Sequence, residues 1–224
     1  KALADGVLGE PVRFESRFER FAPHPGPPAA GGGTLRDFGS HLVDQALVLF
    51  GPARRVYAEM HIGENPAALD DDVFVAITHA GGVHSQIWGS WRQNASGPRF
   101  RVTGTAASYV VVPDMESQED RLLAGQSPAT CRDWGAEPEH RWGRVFRDGT
   151  AEMLRSERGA WDTFYPAFAA AVRGTGPVPV DPWDAVATAQ VLDAARESAS
   201  TGQAVFWGEH VTDEQYSARA APTS

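Results

Sequence analysis

Asp72-Val-Phe-Val-Ala-Ile-Thr-His-Ala-Gly-Gly-Val-His-Ser-Gln-Ile-Trp-Gly-Ser-Trp91 decides the fold. Residues 72–78 and 83–91 predict two strands, and Gly81-Gly82 between them is the composition a tight hairpin turn requires. In the first run Val73, Val75 and Ile77 share one side, with Phe74 and Ala76 on the other. Both faces are therefore apolar. A sheet apolar on both faces takes helices on one side and something else on the other, for which a second subunit is a natural candidate.

The neighbouring segments fit that sheet. Residues 11–20 alternate, with Val12, Phe14, Ser16 and Phe18 on one side and Arg13, Glu15, Arg17 and Glu19 on the other, a half-buried strand with one charged face. A Pro- and Gly-rich loop spans 21–33. Leu35, Phe38, Leu42, Ala46 and Leu49 then recur at helical spacing over 34–50, and Gly51-Pro52 stops the helix. A short strand is expected at 54–60 and two more over 100–112, turning near 104–108. Residues 114–159 read as polar and irregular. Trp161, Phe164, Tyr165, Phe168 and Val172 mark a helix. A second opens at Asp181-Pro182, a cap followed by proline at the first helical position, and ends at Gly202. The sum is an α+β fold: an open, mostly antiparallel (mixed) sheet with helices on one face and the other face open for oligomerisation. Residues 1–208 are expected to form one domain and 209–224 a tail.

Composition excludes several partners. The net charge is -9, and Arg54-Arg55 is the densest basic pair, which disfavours nucleic acid and anionic membranes. No apolar run approaches the roughly 20 residues of a spanning helix, and no signal-peptide pattern opens the chain. Cys131 is the only cysteine, so no internal disulfide can form, and a cytoplasmic location is expected. Lys1 is the only lysine, so the interior offers none for proton transfer.

Chemistry concentrates in Gly31-Gly-Gly-Thr-Leu-Arg-Asp-Phe-Gly-Ser-His-Leu-Val-Asp44. Asp37 and His41 are four apart on a helix, so they share a face, and Asp44 extends it. An imidazole beside carboxylates can exchange protons near neutral pH. The glycines bring backbone close to whatever lies at the helix mouth, and the helix N-terminus favours an oxygen-rich ligand. A plainer reading stands beside this one: Thr34 and Asp37 resemble a capping box, with His41 a core histidine. His79 and His84 flank the hairpin without a third metal ligand, and no metal site is expected. Trp88 and Trp91 are strand aromatics that could also stack on a sugar. Asp70-Asp71-Asp72 lacks the spaced oxygens of a calcium loop and reads as the solvated start of a strand. No G-x-G-x-x-G follows a strand and opens a helix, so no dinucleotide site is expected in this chain.

The 31–44 stretch resembles the GGG-x-x-x-D-x-G-x-H-x-x-D signature of the glucose–fructose oxidoreductase and inositol dehydrogenase (Gfo/Idh/MocA) family. Residues 9–16, 97–104, 164–168 and 177–180 agree in order, and 40–47 with Trp134-Gly135 look closest to a scyllo-inositol dehydrogenase-like branch. The loop at 22–30 is short and lacks that branch's arginine and tryptophan. The resemblance implies the C-terminal, substrate-side domain of a sugar or polyol dehydrogenase, inactive alone. NAD or NADP would be held by an N-terminal Rossmann domain that this sequence lacks, with no cofactor in this chain. It implies His41 as the acceptor of the hydroxyl proton and Asp37 as its orienting partner. Asp44 and Arg20 are implied as substrate-binding residues, and a homodimer or homotetramer through the open sheet.

Overall fold

The structure, a computed structural model, describes residues 1–24, 26–27, 29–63, 69–112 and 117–207. The expected tail at 209–224 lies outside them, as do parts of the 22–30 loop. The chain is mixed α+β with mostly antiparallel strands, and forms two compact units, Lys1–Pro11 with Gly97–Asp184, and Val12–Ser96 with Ala185–Ser224. Among the described residues no helix is long and apolar enough to cross a membrane.

The second unit holds strands β1 (Pro11–Glu19), β2 (Ala53–Ile62), β3 (Asp70–His79), β4 (His84–Ser90) and β9 (Val205–Phe206), in the order β1-β4-β3-β2-β9. The expected hairpin is present: β3 and β4 pair antiparallel, and Gly82 takes φ +84° in the turn. Strand β1 runs parallel to β4, with Phe14 opposite Ser85 and Phe18 opposite Gly89, which makes the sheet mixed.

Helix α1 (Thr34–Phe50) lies over β3 and β4, where Leu35, Leu42, Val75, Ile77 and Ile87 are fully buried. Each such side chain stabilises the fold by about 1.5–3 kcal/mol. Gly89 permits the approach, because a Cβ there would sit 3.0 Å from the Thr34 methyl and 3.3 Å from the Phe38 Cβ. Gly51 closes the helix at φ +79°, donating its N–H to the Leu47 carbonyl. Helix α4 (Pro182–Thr201) starts under the Asp181 cap, whose carboxylate accepts the Trp183 N–H at 2.9 Å. Further along, its buried Ser198 Oγ accepts the Ala58 N–H of β2 at 2.9 Å. Among the described residues of this unit no helix lies over the opposite face, where Arg17 stacks on Trp88 at 4.0 Å and Trp88 meets Phe74 at 5.3 Å.

The capping box that Thr34 and Asp37 offered as one of two readings is absent. Gly33, not Thr34, is the cap residue, and it offers no side chain. The cap comes instead from Asp70 at the start of β3. Its Oδ2 accepts the Leu35 N–H at 2.6 Å, and its carbonyl accepts the Thr34 hydroxyl at 2.8 Å. A Cβ on Gly33 would collide with that carboxylate. The aspartate run is therefore not a solvated strand start: Asp70 is 9% and Asp71 3% exposed. Asp71 pairs with His61 at 2.7 Å and Arg92 at 3.0 Å, and Asp72 accepts the Ser90 hydroxyl.

In the first unit, β5 (Phe100–Gly104), β6 (Ser108–Val111), β7 (Gly143–Arg147) and β8 (Thr150–Leu154) form an antiparallel meander. Gly104 lets the Leu8 backbone approach β5, and Ala106 donates its N–H to the Leu8 carbonyl at 2.9 Å. The irregular segment expected at 114–159 is more ordered than its composition implies. It contains β7, β8 and helix α2 (Ser117–Leu123), with Arg121 gripping Asp133 through both guanidinium ends at 2.9 and 3.0 Å. Buried Trp134 and the Gly159-to-Gly135 backbone bond fix its return. Helix α3 (Phe164–Val172) forms where its periodicity predicts, yet none of its residues is buried.

Two consequences are measurable. Asp70→Ala removes the acceptor from a buried helix N-terminus and is expected to cost about 1–3 kcal/mol in urea unfolding. An unchanged midpoint would contradict the cap. The second concerns His79, which is 1% exposed and bonded to the Gly51 carbonyl and the Ser85 hydroxyl, both at 2.7 Å. A carbonyl only accepts, so Nδ1 carries the proton and Nε2 accepts from Ser85. Burial pushes its pKa below the ordinary 6.5. The unfolded chain therefore takes up a proton below about pH 6.5 that the folded chain refuses, and stability falls as pH drops, by up to about 1.4 kcal/mol per unit. In His79→Gln, the pH dependence of unfolding below about pH 6.5 should weaken, by at most one proton. An identical slope would show that His79 is not the group.

Candidate functional site

The site residues of the second unit gather around the first turns of α1. Asp37 and His41 stand one helical turn apart, Asp37 half-buried and His41 exposed. The Asp37 carboxyl lies close to Gly31, where a Cβ would be 3.5–3.6 Å from its atoms, so the glycine run keeps backbone near this side chain. The structure records no direct bond between Asp37 and His41. Their relation is a shared face.

Three rings form the floor. Phe38 stacks on Phe18 of β1 at 4.6 Å and on Trp91 at 5.1 Å, with interplanar angles of 13° and 14°. His41 meets the Phe18 ring at 6.3 Å. The Arg20 guanidinium lies 5.5 Å from the Phe18 and Phe38 centroids and 5.8 Å from Trp91. Such contacts contribute about 0.5–1 kcal/mol each where exposed, enough to bias a flexible side chain toward one position. Arg20 itself follows from register: β1 is parallel to β4, and the Arg20 N–H donates to the Ser90 carbonyl at 2.8 Å, setting it beside Trp91.

His41 and Arg20 thus meet one aromatic cluster, and Asp37 stands one helical turn from His41. Asp44 is exposed on the same helix, and its carboxylate accepts the Thr188 hydroxyl of α4 at 3.4 Å, a long bond that links the two helices. The sequence reading missed Phe18, Phe38 and Trp91 as a unit. Phe38 looked like an ordinary core position, and its stacking partners are brought in by strand pairing over long separations.

Three features of the site region are engaged within the protein. The N-terminus of α1 is filled by the Asp70 carboxylate, so it offers no nest for an anionic oxygen. The two faces of the Phe38 ring are taken by Phe18 and Trp91. His79 is a buried structural residue rather than one of a facing pair with His84, whose Nδ1 sits 3.5 Å from Thr78. Among the described residues, no group of three His, Cys, Asp or Glu side chains could hold a metal ion.

Comparison with known proteins agrees with this architecture. Residues 1–110 match the family described as the GFO/IDH/MocA C-terminal domain. The chain is 26% identical over 215 residues to scyllo-inositol 2-dehydrogenase (NADP(+)) IolW of Bacillus subtilis, covering 92% of this chain and 59% of that protein. It is 32% identical over 214 residues to the oxidoreductase YdgJ of Escherichia coli, covering 88% of this chain and 58% of that protein. A crystal structure of an oxidoreductase from Klebsiella pneumoniae superposes with a TM-score of 0.81 at 28% identity, over 97% of this chain and 59% of that one. The chain therefore spans a little under six-tenths of the relatives it matches. On its sequence, its strand order and these matches, the chain belongs to the GFO/IDH/MocA family of oxidoreductases and carries that family's C-terminal domain.

Proposed function

We propose that this chain is the substrate-side domain of an NAD(P)-dependent dehydrogenase that oxidises a CH–OH group of a sugar or cyclic polyol. The observation that carries the reading is that His41 and Arg20 both meet the Phe18–Phe38–Trp91 cluster, with Asp37 one turn from His41 on the same helix. Oxidising a secondary alcohol requires a base for the hydroxyl proton, and an exposed imidazole serves near neutral pH. In this reading His41 accepts that proton. Asp37, one turn back on the same face, orients the substrate and favours the charged imidazolium that results. Arg20 donates to a neighbouring hydroxyl from above the rings. The apolar cluster beneath gives the C–H face of a sugar ring a surface to lie on.

A nicotinamide supplies hydride acceptance in such a reaction. The glycine run at 31–33 leads into a helix whose N-terminus is engaged by Asp70, which supports a cofactor site outside this chain. The cofactor would be held by a Rossmann domain elsewhere in the parent enzyme, and this chain alone would be inactive. The name of IolW, an NADP(+)-dependent scyllo-inositol dehydrogenase, supports both the cofactor class and the polyol.

The half-buried sheet face bearing Arg17, Phe74 and Trp88 supports a second element of the proposal, assembly of the parent as a homodimer or homotetramer through this sheet.

In the parent enzyme, His41→Ala is expected to lower kcat by about 100- to 10,000-fold while the fold is retained. Asp37→Asn should lower it in the same direction, and Arg20→Ala should act mainly on KM. Full turnover in His41→Ala would sink the assignment. For the assembly, Phe74→Glu places a charge in the proposed interface and should shift sedimentation toward the monomer. A parent already monomeric at micromolar concentration would refute that element.

A further inference from the structure

Asp70 and Asp71 open β3, and both are buried. The proposed reaction uses neither. Burying a carboxylate is costly unless its partners offset the lost water, so what each one holds is informative. Asp70 holds helix α1. Its Oδ2 accepts the Leu35 N–H at 2.6 Å, and its carbonyl accepts the Thr34 hydroxyl at 2.8 Å. Asp71 holds the end of β4 and the residues just beyond it. Its carbonyl accepts the Trp91 N–H at 2.8 Å, and its carboxylate accepts from the Arg92 guanidinium at 3.0 Å and meets His61 Nδ1 at 2.7 Å. Each carboxylate also lies against a glycine, Gly33 for Asp70 and Gly63 for Asp71, where a Cβ would collide with it.

The proposed site is divided between these two anchors. Helix α1 carries Asp37 and His41 on the turns that follow Leu35. The strand end held by Asp71 carries Trp91 and also fixes Arg20. The Arg20 N–H donates to the Ser90 carbonyl at 2.8 Å, and the Arg20 carbonyl accepts the Gln93 N–H at 3.1 Å. The Arg20 guanidinium then lies 5.8 Å from the Trp91 centroid. One planar peptide bond joins the two aspartates, with Cα atoms about 3.8 Å apart, so helix and strand end are located from a single stiff point.

We infer that Asp70 and Asp71 are positioning residues with separate duties, a division that rests on the proposed reading of His41 and Arg20. Asp70 sets the acid–base pair of α1. Asp71 sets the substrate surface of Trp91 and Arg20. Loss of Asp70 therefore falls on kcat, and loss of Asp71 falls on KM. A merely structural role would lower the folded fraction in both variants and leave KM alone.

The test uses the full-length parent, with turnover of its sugar or polyol expressed per folded enzyme. Asp70→Ala is expected to lower kcat by about 10- to 100-fold with KM changed by less than about twofold, because a small displacement of the reacting groups is enough. Asp70→Asn keeps an acceptor for the Leu35 N–H and should recover most of that loss. Asp70→Glu, whose acceptor lies one methylene further out, should not, and it stands in where Asp70→Ala does not fold. Asp71→Ala is expected to raise KM severalfold with kcat nearly unchanged. Amide exchange reads the same division without substrate: residues 34–37 should exchange faster in Asp70→Ala and residues 90–93 in Asp71→Ala, each variant leaving the other stretch protected. Equal effects of the two alanine variants on kcat and KM, no recovery in Asp70→Asn, or exchange that rises in both stretches together overturns the inference. His41→Ala in the same assay separates it from the reading beneath it. Full turnover there, with the exchange pattern as expected, refutes the base assignment and leaves the two positioning roles. A crippled His41→Ala beside unaffected aspartate variants refutes the positioning roles alone.

Discussion

The contact on which the site depends is between the first residue of a strand and the first turn of a helix. Asp70 reaches the α1 N-terminus with its carboxylate and holds the Thr34 hydroxyl with its carbonyl. A helix N-terminus carries unpaired N–H groups and partial positive charge, so a buried anion there satisfies both needs. The bond also fixes how far along β3 the helix begins, and so where Asp37 and His41 stand relative to Phe18 and Trp91. Gly33 and Gly89 belong to the same device, since each leaves the space that a Cβ would fill. At Gly33 the need for glycine is thus explained by packing against Asp70.

Much of the fold could be read from local pattern. Alternation in 73–77, the Gly81-Gly82 turn, the Asp181-Pro182 start and the Gly51 stop all appear where residue chemistry demands them. What escaped was non-local. The α1 cap lies 35 residues from the helix end it serves, so no reading of adjacent residues finds it. The β7–β8 hairpin escaped because its strands are largely exposed and carry no clear apolar alternation, although Asp148-Gly149 holds the turn dipeptide, with φ +49° and +77°. For α3 the stripe was legible and its surroundings were not: periodicity reports an apolar face, not what covers it.

The site divides the same way. Asp37 and His41 were legible because helical spacing is a local rule. Arg20 was named from resemblance, and its place beside Trp91 comes from the parallel pairing of β1 with β4. The three-ring stack joins residues 18, 38 and 91 and exists only once the sheet is assembled. The acid–base pair of the proposed reaction is therefore written into one helix, while the surface it works against is a product of topology.

That parallel pairing bears on how the molecule is made. Strand β1 is synthesised first among the site elements, yet its partner β4 lies about 70 residues later, beyond α1, β2 and β3. The β3–β4 hairpin closes over a short loop, and α1 can dock on it through Asp70. Pairing β1 means closing a far longer loop, whose entropy must be met before the contacts reward it. The expected order is hairpin, then helix, then β1. Phe18 and Arg20 would arrive after the hairpin and α1, onto a Phe38 ring already in place, so the three-ring stack forms only once that long loop has closed.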